Sequence, residues 1–105
     1  MAEPQPLVRN AADNAQVQAA GSKAKQQRDQ ELADIKAVLA IPGGRRFLWR
    51  LLKKCKVFET IWHPSALIHY NSGQQDIGHY VQGEIVDASE EAYLQMMQEA
   101  KQGES

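Results

Sequence analysis

Four side chains carry metal-ligand or nucleophile chemistry: Cys55, His63, His69 and His79. Their successive spacings of 8, 6 and 10 residues miss both the i, i+4 histidine pair of one helix face and the C-x-x-C pair of zinc sites. They read as surface or half-buried histidines beside a buried thiol. Cys55 with His63 as nucleophile and base is no better founded, because the thiol falls on the apolar face of its helix, where a buried cysteine is inert. No glycine-rich phosphate loop precedes a Lys-Ser or Lys-Thr pair. Pro42-Gly43-Gly44 ahead of a helix offers amide donors to an anion, with Arg45 and Arg46 adjacent. A simple helix start with exposed arginines explains the same residues. No set of residues supplies a nucleophile, a base and an orienting group, so the expectation is no enzyme activity, no cofactor and no metal.

Charge is the stronger signal. Arg45, Arg46, Arg50, Lys53, Lys54 and Lys56 stand within twelve residues, interleaved with Phe47 and Trp49. Such a run neutralises phosphates and stacks on bases, or it meets acidic groups on a protein. Residues 41–60 carry a net charge of +5 and residues 84–105 a net charge of −5, inside a chain whose formal net charge is −1. This layout allows internal pairing of the two segments, or head-to-tail contact between copies. Contact with protein is favoured over contact with DNA. The partner-binding residues are then Arg45, Arg46, Trp49, Arg50 and Lys53, with Met97 on an adaptable Met96-Met97 surface.

These residues need elements to hold them. Ser22 is a plausible N-cap for a helix running to about Ala40, with Leu32, Ile35, Val38 and Leu39 as a narrow apolar stripe. Ile41-Pro42-Gly43-Gly44 ends it, and Pro42 suits the first turn of a second helix reaching Lys54. On that helix Leu48, Leu51, Leu52 and Cys55 share one face. Val57 to Pro64 reads as a connector that drops Phe58, and with it Trp62, onto the core. Pro64 and Ser65 start a short helix to Tyr70, and Asn71-Ser72-Gly73 reads as a turn. A helix from Gln74 to Val86 follows, with Ile77, Val81 and Ile85 as its row and Gly78 placed for close approach of another helix. Asp87 would cap a last helix, with Glu90 completing a capping box, Tyr93, Met96, Met97 and Ala100 as its apolar face, and Gly103 stopping it. The expected fold is all-α: a small bundle of about four helices with an extended or helical N-terminal arm. Its core is Phe47, Leu48, Leu51, Leu52, Cys55, Phe58, Ile77, Val81, Tyr93 and Met96.

The chain has 105 residues, room for one small domain. Residues 1–30 form a polar, Ala/Gln-rich arm that buries too little surface to fold alone and is expected to be ordered on a partner. Residues 31–105 form the helical domain. A core that small leaves only a few kcal/mol of net stability, and Cys55, alone, cannot staple it. A lone cysteine suits a reducing compartment. No run approaches a membrane span, and Met1-Ala2-Glu3-Pro4-Gln5-Pro6 lacks the apolar core of a signal peptide.

The pattern Pro42-x-Gly44-Arg45-Arg46-Phe47-Leu48-Trp49-x-Leu51-Leu52-x-x-Cys55-x-Val57-Phe58 resembles the signature of a family of small tailed-phage proteins. Their genes lie in the virion morphogenesis region of short-tailed and related phages. A second family motif, Gly-Arg-Arg-Asn-Val-Gly, is echoed by Gly73-Gln74-Gln75-Asp76-Ile77-Gly78, with glutamines in place of both arginines. The acidic, methionine-containing end is echoed by residues 91–100, and the resemblance spans about residues 32–100. It implies a virion-associated, non-enzymatic component made in the host bacterial cytoplasm. The implied partners are larger virion proteins at the portal–tail junction, in the tail or among ejected internal proteins. Multiple copies in a ring suit an arm that needs a partner and opposed charged ends. Two rivals stand beside this reading: a DNA-binding accessory protein of packaging or ejection, and a small host-directed regulator. Trp49→Ala is expected to disturb folding or assembly more than Arg50→Ala.

Overall fold

The computed structural model describes residues 5–104, with side chains from 13 to 103. The reading of Met1 to Pro4 as a polar start lies outside the described residues. Four helices and no strand are present among the described residues, so the fold is an all-α small bundle. They are α1 (Gln5–Leu39), α2 (Pro42–Lys54), α3 (Leu67–Ala88) and α4 (Glu90–Glu104). The chain divides into two compact units, Met1–Glu31 and Leu32–Ser105.

In the first unit the helix begins far ahead of the expected cap. Ser22 is a mid-helix residue of α1. Ala- and Gln-rich sequence has high helix propensity, and no proline or paired glycine interrupts it after Pro6. Nearly every described side chain of this unit is exposed, Val17 at 67%. It is laced by Lys25–Asp29 and Arg28–Glu31 ion pairs, both 3.1 Å, each contributing about 0.3–0.5 kcal/mol.

In the second unit α2, α3 and α4 pack on one another. Leu39, Leu52, Ile85, Ala88 and Met96 form the buried cluster, and Leu32, Ile35, Leu48, Trp49, Val57, Val81, Ala92 and Tyr93 lie against it. Cys55 is buried at the end of α2. The apolar stripe of α1 turns out to be Leu32, Ile35 and Leu39, while Val38 is exposed.

Local chemistry sets the joints. Ile41 is extended as N-cap of α2, with Pro42 in the first turn. A side chain at Gly44 would collide with the Val38 carbonyl oxygen, so the α1–α2 corner requires glycine there. Helix α2 ends in a Schellman motif: Lys56 N–H donates to the Lys53 carbonyl (3.0 Å) and Val57 N–H to the Leu52 carbonyl (3.2 Å), with Lys56 left-handed at φ 60. The Gln75 amide donates to the carbonyls of Lys56 (2.7 Å) and Glu59 (3.0 Å), pinning the connector to α3. A Cβ on Gly78 would come within 2.5 Å of Val57 Cγ2 and 2.6 Å of Cys55 Cβ. The close approach expected at Gly78 is thus made by the end of α2 and its turn.

Three boundary expectations are corrected. Asn71-Ser72-Gly73 is not a turn, and α3 runs through it unbroken with Asn71 buried. Packing of Asn71 against the bundle outweighs the weak local preference of these residues for a turn. Asp87 does not cap α4. It lies inside α3, and Ser89 serves instead, its Oγ accepting from the Ala92 N–H at 3.1 Å while its own N–H donates to the Ile85 carbonyl at 2.8 Å. Gly103 does not stop α4, which continues to Glu104.

The glycines of α3 give a paired prediction. Nothing lies within 4 Å of a Cβ added at Gly83, so Gly83→Ala should stabilise by about 0.5–1 kcal/mol through helix propensity. Gly78→Ala should destabilise by about 1–3 kcal/mol through overpacking. Thermal unfolding followed by circular dichroism should move the midpoint up for the first and down for the second; shifts of the same sign would contradict this packing.

Candidate partner-binding surface

Helix α2 divides into two faces. Arg45, Leu48, Leu52 and Cys55 follow i, i+3, i+7, i+10 and face inward. Phe47, Arg50 and Lys54 follow i, i+3, i+7 and face outward, with Arg46 beside them. The sequence reading that put Arg45 among the partner-binding residues is therefore corrected: Arg45 is 8% exposed. Its Nε donates to Glu99 Oε1 and its Nη2 to Glu99 Oε2, both 2.9 Å, and its Nη1 donates to the Leu39 carbonyl at 2.7 Å. This fork joins α2 to α4 and satisfies the C-terminal carbonyl of α1. It is also an internal pairing of the basic and acidic segments.

The pair shifts both partners. The hydrogen bond from Arg45 holds the Glu99 carboxyl below its ordinary value, against desolvation and with help from the nearby Arg45 charge. The hydrogen bond to Glu99 raises the Arg45 guanidinium above its own, again against desolvation. A lowered carboxyl pKa in the folded state adds stability above the unfolded carboxylate value. That stability is lost as pH falls through the lowered folded value. Glu99→Gln should therefore unfold more easily at neutral pH and lose part of the wild type's destabilisation on acidification. Urea midpoints measured from neutral to acidic pH test this, and parallel curves for the two proteins would refute it.

Three side chains assigned to the core lie outside it. Phe47 is 54% exposed, Phe58 47% and Ile77 62%. Phe47 sits nearly opposite the Leu52 face of α2. Phe58 stacks on Trp49, ring centroids 4.9 Å apart and planes at 30°, at the edge rather than the centre. Ile77 fails for a geometric reason. The row Ile77, Val81, Ile85 advances about 40° around the helix at each step, so Ile85 is buried, Val81 half-buried and Ile77 exposed. The buried seam of α3 is instead Asn71, Gly78 and Ile85, spaced by seven. Leu48, Leu51, Val81 and Tyr93 are half-buried, and Leu52, Cys55 and Met96 are buried. The Tyr93 hydroxyl accepts from the Gln82 amide at 2.7 Å, tying α4 to α3.

The other residues expected from the sequence to bind a partner are placed as follows. Arg46, Arg50, Lys53 and Met97 are exposed and Trp49 is half-buried. The Arg50 guanidinium lies 5.7 Å from the Phe47 ring centroid, a cation–π arrangement. Arg46, Trp49 and Arg50 line an open groove of about 450 Å³ between α2 and α4, floored by Met96 and Ala100 and edged by Glu99. The connector does not drop Trp62 onto the core, for Trp62 is 70% exposed, and the sequence reading missed that Leu67, Tyr70, Tyr80 and Leu94 are exposed too, at 48–67%. Tyr70, Ile77 and Tyr80 recur at i, i+7 and i+10 on one side of α3, and that spacing was the available signal. Cys55, His63, His69 and His79 are not brought together: no group of three potential ligands able to hold a metal exists among the described residues.

Within residues 32–105 more large apolar side chains are exposed than buried, with cations set among them. The family model of the Bbp19-like phage protein matches residues 35–98, more than half of the chain, and the chain belongs to that family of phage proteins. No curated protein and no solved structure matches it. Among the described residues no helix is long and apolar enough to cross a membrane.

Proposed function

We propose that this phage protein is a non-enzymatic virion component that binds a larger virion protein. The observation that carries the reading is the imbalance within residues 32–105. Six hydrophobic residues are buried, while Phe47, Phe58, Trp62, Leu67, Tyr70, Ile77, Tyr80 and Leu94 stay exposed. Exposed apolar surface on that scale, rimmed by charge, marks a protein-contact surface. Similarity of the Pro42–Phe58 signature to proteins of short-tailed phages supports a place at the portal–tail region or among ejected internal proteins. Phage particles purified to completeness, digested and read by mass spectrometry should contain the chain. Cross-linking of those particles should join it to a larger structural protein. Complete particles lacking the chain would refute the proposal and leave the host-directed reading.

A second reading rests on one observation. Arg46, Arg50, Lys53 and Lys54 are exposed on α2 with Phe47 and Trp49 among them, which suits phosphate contact with stacking. Retention on DNA should then fall steeply as salt rises. A protein that passes through a DNA column at low salt removes it.

A further inference from the structure

Two helices of the second unit carry outward stripes that complement each other in charge, in apolar content and in length. On α2 the stripe is Phe47, Arg50 and Lys54 with Arg46 beside it, all exposed. Arg46 and Lys54 make no hydrogen bond or ion pair within the described chain, and Arg50 meets only the Phe47 ring. On α4 the stripe is Glu90, Leu94 and Met97 at i, i+4 and i+7, with Glu91 flanking. Leu94 is 58% exposed and Met97 42%, and neither glutamate has a side-chain partner within the described chain. Phe47 to Lys54 and Glu90 to Met97 each span seven residues, about 10 Å of helix.

We propose that the α2 stripe of one copy receives the α4 stripe of the next, antiparallel. Lys54 and Arg50 meet Glu90 and Glu91, and Phe47 packs on Leu94 and Met97. The opposite polarity is disfavoured, because it would set Phe47 against Glu90 and Lys54 against Met97. Charge complementarity selects the occupant: the +5 and −5 segments of the sequence are joined internally through the Arg45–Glu99 pair, with the Arg46 charge also near Glu99, while Arg50, Lys54, Glu90 and Glu91 remain available. The contact closes as a two-fold dimer where both stripes of each copy pair reciprocally, and as a ring where each stripe meets a different neighbour. The inference rests on the reading of the chain as an assembly component and names its nearest partner as another copy of itself.

Light scattering on the full chain after size-exclusion chromatography tests this. At low salt the wild type should have a mass of two or more chains, falling toward one as salt screens the contact. R50E/K54E and E90K/E91K should each run as monomers with helical circular dichroism intact. An equimolar mixture of the two should regain the higher mass, because reversed stripes attract each other. E90Q/E91Q, gentler on the α4 N-terminus, should also lower the mass. A wild type that is monomeric at low salt, reversals that leave the mass unchanged, or a mixture that stays monomeric would each overturn the contact. So would a monomer whose α2 cations instead hold DNA or another virion protein. Failure here is separable from failure of the proposed function, which is read from the presence of the chain in particles.

Discussion

Leu52→Ala is expected to leave residues 32–105 largely unfolded at physiological temperature. Leu52 has no exposed surface and lies in the buried cluster with Leu39, Ile85, Ala88 and Met96. Truncating a fully buried leucine costs about 2–5 kcal/mol, the upper part of the range applying where the site cannot collapse. The Leu52 carbonyl also accepts the Val57 N–H that closes α2, which restrains the backbone and resists collapse. A single small core of this size provides about 3–5 kcal/mol of net stability. The loss is therefore comparable with the whole. Leu94→Ala provides the control: the same atoms are removed from a side chain that is 58% exposed, and surface substitutions stay within about 0.5 kcal/mol. Urea unfolding by circular dichroism should show the Leu52 variant with little or no folded baseline and the Leu94 variant close to wild type. Similar midpoints for the two would mean that the core is not where these side chains place it.

The elements of the second unit were legible because their signals are local. Pro42 and the paired glycines mark the corner before α2, and the Leu48, Leu52, Cys55 spacing marks its inner face. What misled was period. Arg45 lies on that same inner face, one turn before Leu48, and charge alone assigned it outward; its burial depends on Glu99, 54 residues away in sequence. Ile77 was assigned inward by a row that drifts around α3, whereas the buried row contains Asn71 and Gly78, which no hydrophobicity pattern selects. Asn71-Ser72-Gly73 has turn chemistry, yet one continuous helix forms because its neighbours bury it. Ser22 looked like a cap because the chain before it has no apolar stripe, and propensity without packing sufficed for helix there. At Arg45 and Asn71 a tertiary contact overrides a local preference, whereas at Ser22 local propensity alone extends the helix.

Trp49 and Arg50, adjacent in sequence, should separate stability from assembly. Trp49 lies against the buried cluster and stacks on Phe58, holding the turn after α2 to the bundle. Its ring is half-buried, so Trp49→Ala should cost about 2–3 kcal/mol, below the figure for a fully buried tryptophan. Trp49→Phe, which keeps a ring against Phe58, should recover much of that. Arg50 is exposed and touches the Phe47 ring alone, an arrangement contributing about 0.5–1 kcal/mol at a surface site. Arg50→Ala should therefore leave the unfolding midpoint nearly unchanged. Its effect should instead appear as weaker contact with a partner: lower mass in light scattering and fewer copies in particles. Denaturation midpoints and particle incorporation, measured together on the three variants, decide the matter. If Arg50→Ala unfolds as readily as Trp49→Ala, the guanidinium is part of the fold. If neither substitution changes stability or incorporation, the Phe47–Lys54 stripe is not a contact surface, and the exposed aromatics of α3 become the surface to test.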